Sequence, residues 1–375
     1  MKRTTTFLLT IFLVLSCDSD KVKSAKNEHP YIAEDVIFFN KIDSIQIHGT
    51  LTYPKSKGPF SSVILIPGSG RTNRDGTENN NLRPLFEIAD FLTKNGMAVL
   101  RCDKRGVGNS EGTLDLNTTL DDFVSDITSS IDYLTQRHEI NKSNLGLIGH
   151  SYGGIIAAKV STERPEVSFV VMLGSPGVKN GEIVFQQIED ISRSFGIPDT
   201  TIIKFQDIVS KTSQILNSEE DLNTKKFQIE VMYKNKIDHI TDNEINALKH
   251  LGYNFSTNAQ DYSIGLTTPF WYEFYVLDPK SILAKVTSPI LSIIGEKDLQ
   301  VDPEINQSAI EKAIISGNNN NYTILTPPGY NHLFQKTSTG SPDEYEKYNE
   351  TISQQILDTI RTWILTQCNS KIKTL

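Results

Sequence analysis

An α/β architecture, with a mostly parallel sheet covered by helices on both faces and a helical segment inserted between two strands, is predicted by three observations. β-rich apolar runs alternate with amphipathic helical patterns along most of the chain. A serine flanked by glycines, in LGLIGHSYGGIIAAKV (145–160), lies where a buried strand gives way to a small-residue helix. The alternation lapses once, over a long stretch with helical periods only. Strands interleaved with helices imply parallel pairing, because each crossover lays a helix over the sheet and buries both of its faces.

The elements follow in order. DVIFFN and SIQIHGTLTYP read as an opening hairpin, and SSVILIPGSG, GMAVLRCDKRG, LGLIGHS, SFVVMLGSPG, SPILSIIGEKD and NYTILTPPG as further strands, each closing on glycine or charge. Between them, LRPLFEIADFLTKNG and TTLDDFVSDITSSIDYLTQR carry helical patterns; in the second, Phe123, Ile127, Ile131 and Leu134 recur on one face. The lapse lies between GSPG (174–177) and SPILSII (288–294), where Val184, Ile188 and Ile191, then Ile202, Phe205, Ile208 and Val209, repeat at helical spacing. A helical cap inserted there leaves the sheet undisturbed, since both of its ends return to neighbouring strands. The expected division is a signal segment over 1–16, a flexible tether over 17–30, a core over 31–178, the cap over 179–284 and the rest of the core over 285–375.

A chain of 375 residues can bury the core this requires. With 38% hydrophobic and 22% charged residues the composition is that of an ordinary soluble protein; a net charge of -8 and no basic stripe argue against a nucleic-acid partner. Lys2 and Arg3 precede FLLTIFLVL, an apolar run that spans roughly 13 Å as a helix against a hydrocarbon core of about 30 Å. That pattern is a secretory signal. VLSC resembles the lipobox of bacterial lipoproteins, with Leu15 bulkier than the usual small residue, and implies lipidation at Cys17, a membrane anchor, and location in the cell envelope. DSDKVKSAKNEHP lacks periodicity and suits a tether. Cys102, read as a small buried hydrophobe, and Cys368 are too few and too far apart for a disulfide framework.

GHSYG acquires meaning from its position. At the end of a buried strand and the start of a helix, Gly149 and Gly153 let the two backbones pass closely, and Ser151 is presented as a nucleophile on a strained turn. A serine needs a neighbouring base. Of seven histidines, His29 lies in the tether, His48 in the hairpin, His138 at a polar helix end, His150 at the variable motif position, and His239 and His250 in the cap. His332, in TPPGYNHLFQ, follows the last strand, and loops at that edge of a parallel sheet converge. It is the expected base. An acid must hold its ring: Asp298 is favoured, Asp302 next and Glu296 last, because Asp302 before Pro303 already has the pattern of a helix N-cap.

The oxyanion requires two donors. Tyr152 N–H follows the nucleophile, and PGSGRTNRDG offers Ser69 N–H, with Gly70 second. Asp103 and Arg105 in RCDKRGVG read as an ion-paired turn bracing the elbow, and Phe270, Trp271 and Tyr272 as a candidate wall of a substrate pocket. The His and Cys spacings match no usual metal site, and this chemistry calls for neither metal nor cofactor.

The ordered set GSGRTNRDG, LRCDKRGVGNSEG, GHSYGG, GEKDLQVDP and GYNHLFQ resembles the α/β-hydrolase superfamily, specifically a bacterial carboxylesterase-like serine hydrolase with a helical cap, over residues 35–370. Pro67 departs from the histidine often found before the glycine. The resemblance implies an eight-stranded sheet, a triad of Ser151, Asp298 and His332, and cleavage of a small-molecule carboxylic ester. A peptidase or aminopeptidase, an acyltransferase, and an inactive surface binding protein are the alternatives.

Overall fold

The structure, a computed structural model, describes residues 30–77, 82–253, 255–348 and 350–372. The expected signal segment, Cys17 and nearly all of the tether lie outside the described residues. Eight strands, β1 (Tyr31–Asn40), β2 (Ile45–Pro54), β3 (Phe60–Ile66), β4 (Ala98–Cys102), β5 (Ile140–His150), β6 (Val167–Leu173), β7 (Ile290–Ile293) and β8 (Tyr322–Leu325), form one sheet in the order β1-β2-β4-β3-β5-β6-β7-β8. β2 runs antiparallel to both of its neighbours, and every pairing from β4 to β8 is parallel. The opening hairpin and the six later strands stand where the sequence patterns put them.

The helices are α1 (Pro84–Lys94), α2 (Leu120–Thr135), α3 (Tyr152–Glu163), α4 (Asn180–Ser194), α5 (Asp199–Leu216), α6 (Leu222–Ile237), α7 (Asp242–His250), α8 (Ala259–Leu266), α9 (Pro269–Val276), α10 (Pro279–Leu283), α11 (Pro303–Ser316) and α12 (Gln354–Ile372). The period of two along each strand divides the core. Ile64 and Ile66 of β3 pack in one cluster with Phe123 of α2, Ile155 of α3 and Ile310 of α11. The alternate residues Val63 and Leu65 pack in the other, with Leu85 of α1 and Ile356 of α12. β6, VSFVVML, is buried at every position, as a central parallel strand must be.

Between β6 and β7 the described residues form helices α4 to α10 and no strand. This segment has its own apolar cluster, in which Ile188, Phe205, Val209 and Tyr233 are fully enclosed and Tyr233 stacks on Tyr262 with centroids 3.8 Å apart. Polar contacts tie it to the sheet domain. Glu273 Oε2 accepts from Leu120 N–H at 2.7 Å, at the start of α2, and Gln187 Nε2 donates to Gln300 O at 2.7 Å, in the loop after β7. Among the described residues no helix is long and apolar enough to cross a membrane. Burial raises the pKa of the Cys102 thiol to about 12.

Asp103 and Arg105 are ion-paired, but each with other elements. Asp103 Oδ2 accepts from Arg74 Nη2 at 2.7 Å. Arg105 meets Asp43 at 2.7 Å, Asp122 at 2.6 Å and Asp126 at 2.8 Å, tying the β4 loop to the β1–β2 turn and to α2. Arg105 and Asp126 are both buried, and burial holds the Asp126 carboxyl above its ordinary range despite the guanidinium. Removing one partner from such a cluster leaves an uncompensated charge, so Arg105→Met should lose about 3–5 kcal/mol at neutral pH in denaturant unfolding. Without its cation Asp126 rises further, so the native state keeps a proton that the unfolded chain releases. The deficit should therefore shrink as pH falls towards about 4, the pKa of an unfolded aspartate, below which both states are protonated.

Candidate active site

The site is built at the crossing of β5 and α3. Ser151 adopts φ 54° and ψ -126°, a region that costs a residue with a side chain of order 1–3 kcal/mol. Two glycines make the crossing possible. A Cβ on Gly149 would stand 2.1 Å from Gly153 O, and one on Gly153 would stand 2.4 Å from Ile66 O at the end of β3. Ser151 N–H donates to Leu173 O at 2.7 Å, tying the turn to the end of β6. Tyr152 N–H, the first of α3, has no intrahelical acceptor.

His332 lies on the loop after β8 and Asp298 on the loop after β7. His332 Nδ1 and Asp298 Oδ2 are 2.8 Å apart and both side chains are buried. The other carboxylate oxygen of Asp298 accepts Gln300 N–H at 2.8 Å and Val301 N–H at 2.9 Å, so backbone donors hold the acid in place. The runners-up have other partners. Asp302 caps α11 by accepting Ile305 N–H at 2.8 Å, as its place before Pro303 predicts, and Glu296 accepts Gly329 N–H at 2.9 Å.

Ser151 and His332 line the same cleft, of about 240 Å³, together with Ser69, Leu82, Gln300 and Tyr345. Ser69 is among the residues that border this cleft and Gly70 is not. Gly68 also borders it, and a Cβ there would lie 3.6 Å from Ser151 Oγ. The expected aromatic wall is not part of the cleft. Phe270 and Trp271 pack on Phe274, with centroids 6.1 and 5.5 Å away, and Tyr272 receives a hydrogen bond from Lys225 Nζ at 3.2 Å. These rings find one another and the cap core, and Phe274 packs on Tyr152 at 5.9 Å.

One residue passed over in the sequence stands beside the reactive groups. The His150 ring lies 4.7 Å from that of His332, and its Nε2 is 3.0 Å from His332 O. With Nε2 protonated, His150 donates to that carbonyl and pins the loop carrying His332 to the elbow. Burial, and secondarily the neighbouring His332, lower its pKa to about 3, so it remains neutral near physiological pH. Only its place next to Ser151 could have signalled this, since the motif leaves that position free.

The elbow geometry makes a stability prediction. Glycine adopts the Ser151 conformation without the side-chain penalty, at an entropic cost of about 0.5–1 kcal/mol. Ser151→Gly should therefore be more stable than Ser151→Ala, by about 1 kcal/mol in denaturant unfolding, although both lack the hydroxyl. Equal stabilities would show that the turn is unstrained.

A family model described as serine aminopeptidase, S33, matches residues 81–236. The esterase EstD of Thermotoga maritima is 26% identical over 318 residues, covering 84% of this chain and 65% of that protein. The mitochondrial palmitoyl-protein thioesterase ABHD10 of Bos taurus is 31% identical over 139 residues, covering 37% of this chain and 40% of that one. The chain thus spans less than two thirds of the length of these curated relatives. Among solved structures, the α/β hydrolase GrgF from Penicillium sp. sh18 superposes with a TM-score of 0.54 at 14% identity, over 90% of this chain and 99% of that one, a likeness of fold. The eight-stranded, mostly parallel sheet and the superposition on a solved α/β-hydrolase give this chain the α/β-hydrolase fold, and its sequence is similar to an esterase and to the S33 family model.

Proposed function

We propose that the chain is a serine hydrolase of carboxylic esters that works through an acyl-enzyme on Ser151. The observation that carries the reading is the buried 2.8 Å contact between His332 Nδ1 and Asp298 Oδ2, beside a cleft that His332 shares with Ser151. The carboxylate holds a proton on Nδ1 and leaves Nε2 free as a base. His332 takes the Ser151 proton as Oγ attacks the ester carbonyl, and Tyr152 N–H and Ser69 N–H receive the oxyanion. The alcohol leaves with the proton from His332, and water, activated by the same imidazole, releases the acid. Because the base must be neutral, activity falls as the solution is acidified. His150, already neutral down to about pH 3, does not contribute to that limb.

Two features favour a small neutral ester. The cleft, at about 240 Å³, is below the range of roughly 300–1,000 Å³ usual for drug-sized ligands. The family description favours an aminopeptidase, which must neutralise a substrate ammonium group. The residues described as lining the cleft include no aspartate or glutamate, and Asp298 is occupied beneath it by His332. At the N-terminus, the signal-like run and Cys17 support export and lipid anchoring; fatty-acid labelling of wild type but not of Cys17→Ala is the expected result.

A panel of chromogenic esters of increasing acyl length, assayed beside aminoacyl and prolyl amides, tests the reaction class. Short-chain esters should be cleaved and the amides should not. Ser151→Ala should lose about 10⁴- to 10⁶-fold of the activity, and retention of more than a tenth would end the assignment. Added alcohols should divert little of the acyl group from water; predominant transfer would make the enzyme an acyltransferase.

A further inference from the structure

The geometry points to Lys104 as a positioning residue that sets the orientation of the oxyanion-binding peptide. Lys104 Nζ donates to Gly68 O, and to Gly70 O at 2.9 Å. The contact follows from strand register. β3 and β4 run parallel with Leu65 opposite Arg101, and three residues further along each strand stand Gly68 and Lys104. The lysine therefore reaches the loop after β3 from the neighbouring strand end, and its ammonium lies 5.6 Å from the Phe123 ring centroid.

The consequence comes from the planarity of the peptide bond. Gly68 C=O and Ser69 N–H belong to one peptide unit, and in the trans form they point in opposite directions. A cation that holds the carbonyl turns the N–H away from itself. Ser69 and Gly68 border the cleft of Ser151, and a Cβ on Gly68 would stand 3.0 Å from Ser151 Cβ, so this peptide lies against the nucleophile. Holding Gly68 O from the β4 side directs Ser69 N–H towards the space where the oxyanion forms.

The same bond carries charge. A hydrogen bond from an ammonium is stronger than one between neutral groups, and it polarises the amide so that its N–H becomes a better donor. A second cation steadies the far side of the loop: Arg71 donates to Leu114 O at 2.9 Å and to Gly106 O at 2.6 Å. Without Lys104 the Gly68–Ser69 peptide, flanked by glycine, is free to rotate, and the donor must be aligned anew in each turnover. The loss would fall on the transition state, where the oxygen is charged, and much less on the ground state.

This inference rests on the serine-hydrolase reading, and the test separates the two. Steady-state kinetics on a short-chain ester are measured for wild type, Ser151→Ala, Lys104→Met and Lys104→Gln, with inhibition by a small alkylboronic acid, which forms a charged tetrahedral adduct on a serine. Lys104→Met should lower kcat about 10- to 100-fold with KM within about threefold, a smaller loss than the 10²- to 10³-fold for deleting a donor outright. The boronate inhibition constant should rise in parallel, while the acid limb of the pH profile stays in place. Lys104→Gln, which retains a neutral donor, should fall between the two. A Ser151→Ala enzyme that retains activity would overturn the hydrolase reading and this inference with it. With Ser151→Ala inactive, a folded Lys104→Met or Lys104→Gln enzyme with kcat within twofold of wild type, or with unchanged boronate inhibition, would overturn the role of Lys104 alone. Should Lys104→Met fail to fold, the comparison of Lys104→Gln with wild type decides the question by the same criteria.

Discussion

The crossing of β5 and α3 at Ser151 is the constraint on which the site depends. It requires two backbones to pass closer than any Cβ allows, and it holds a serine in a conformation that the isolated residue avoids. The strain is held by the surrounding sheet. Ser151 N–H is bonded to the end of β6, and the next residue of that strand end, Gly174, is where the other two groups pack: a Cβ there would stand 3.0 Å from His332 Nδ1 and 3.4 Å from Asp298 Oδ2. One strand end thus serves as the common reference for three side chains that are far apart in sequence.

Around this point the loops at the strand ends are joined by charge. The segment after β3 is held by Lys104, Arg71 and Arg74 from within or beside it, and Arg101 and Arg83 both reach Asp75 at its far end, the latter at 2.6 Å. Asp103 receives Arg74 and the Asn109 N–H, while Arg105 gathers three carboxylates on the other side of the same turn. Several of these contacts are buried, so their energies depend on complete pairing, and loss of one member is expensive. The arrangement limits movement of the backbone that faces the nucleophile.

The helical segment between β6 and β7 contributes differently. Helices α4 to α9 are held by their own cluster of aliphatic and aromatic residues and meet the sheet domain through polar contacts and through Phe274, which packs against both cores, whereas α10 buries Ile282 and Leu283 in the sheet-domain core itself. That division lets the segment vary without disturbing the strand ends. It also bears on the aromatic run in α9, where rings that are neighbours in sequence pack on one another and none of the three expected wall residues lines the cleft.

Much of the architecture was legible because its signals are local. Alternation along β3, the helical repeat of Phe123, Ile127, Ile131 and Leu134, and the capping pattern of Asp302 before Pro303 each depend on residues a few positions apart, and each has its counterpart in the fold. The serine between two glycines was visible for the same reason: its strain and close approach are properties of one turn. What the chain alone left open are contacts between loops distant in sequence. That Asp103 pairs with Arg74 and not with Arg105, that His150 pins the carbonyl of His332, that Lys104 grips Gly68, and that Phe270 stacks on Phe274 all depend on how strands and helices pack together. A linear sequence specifies which groups are available; only the packed sheet, by bringing its strand ends to one edge, decides which of them meet.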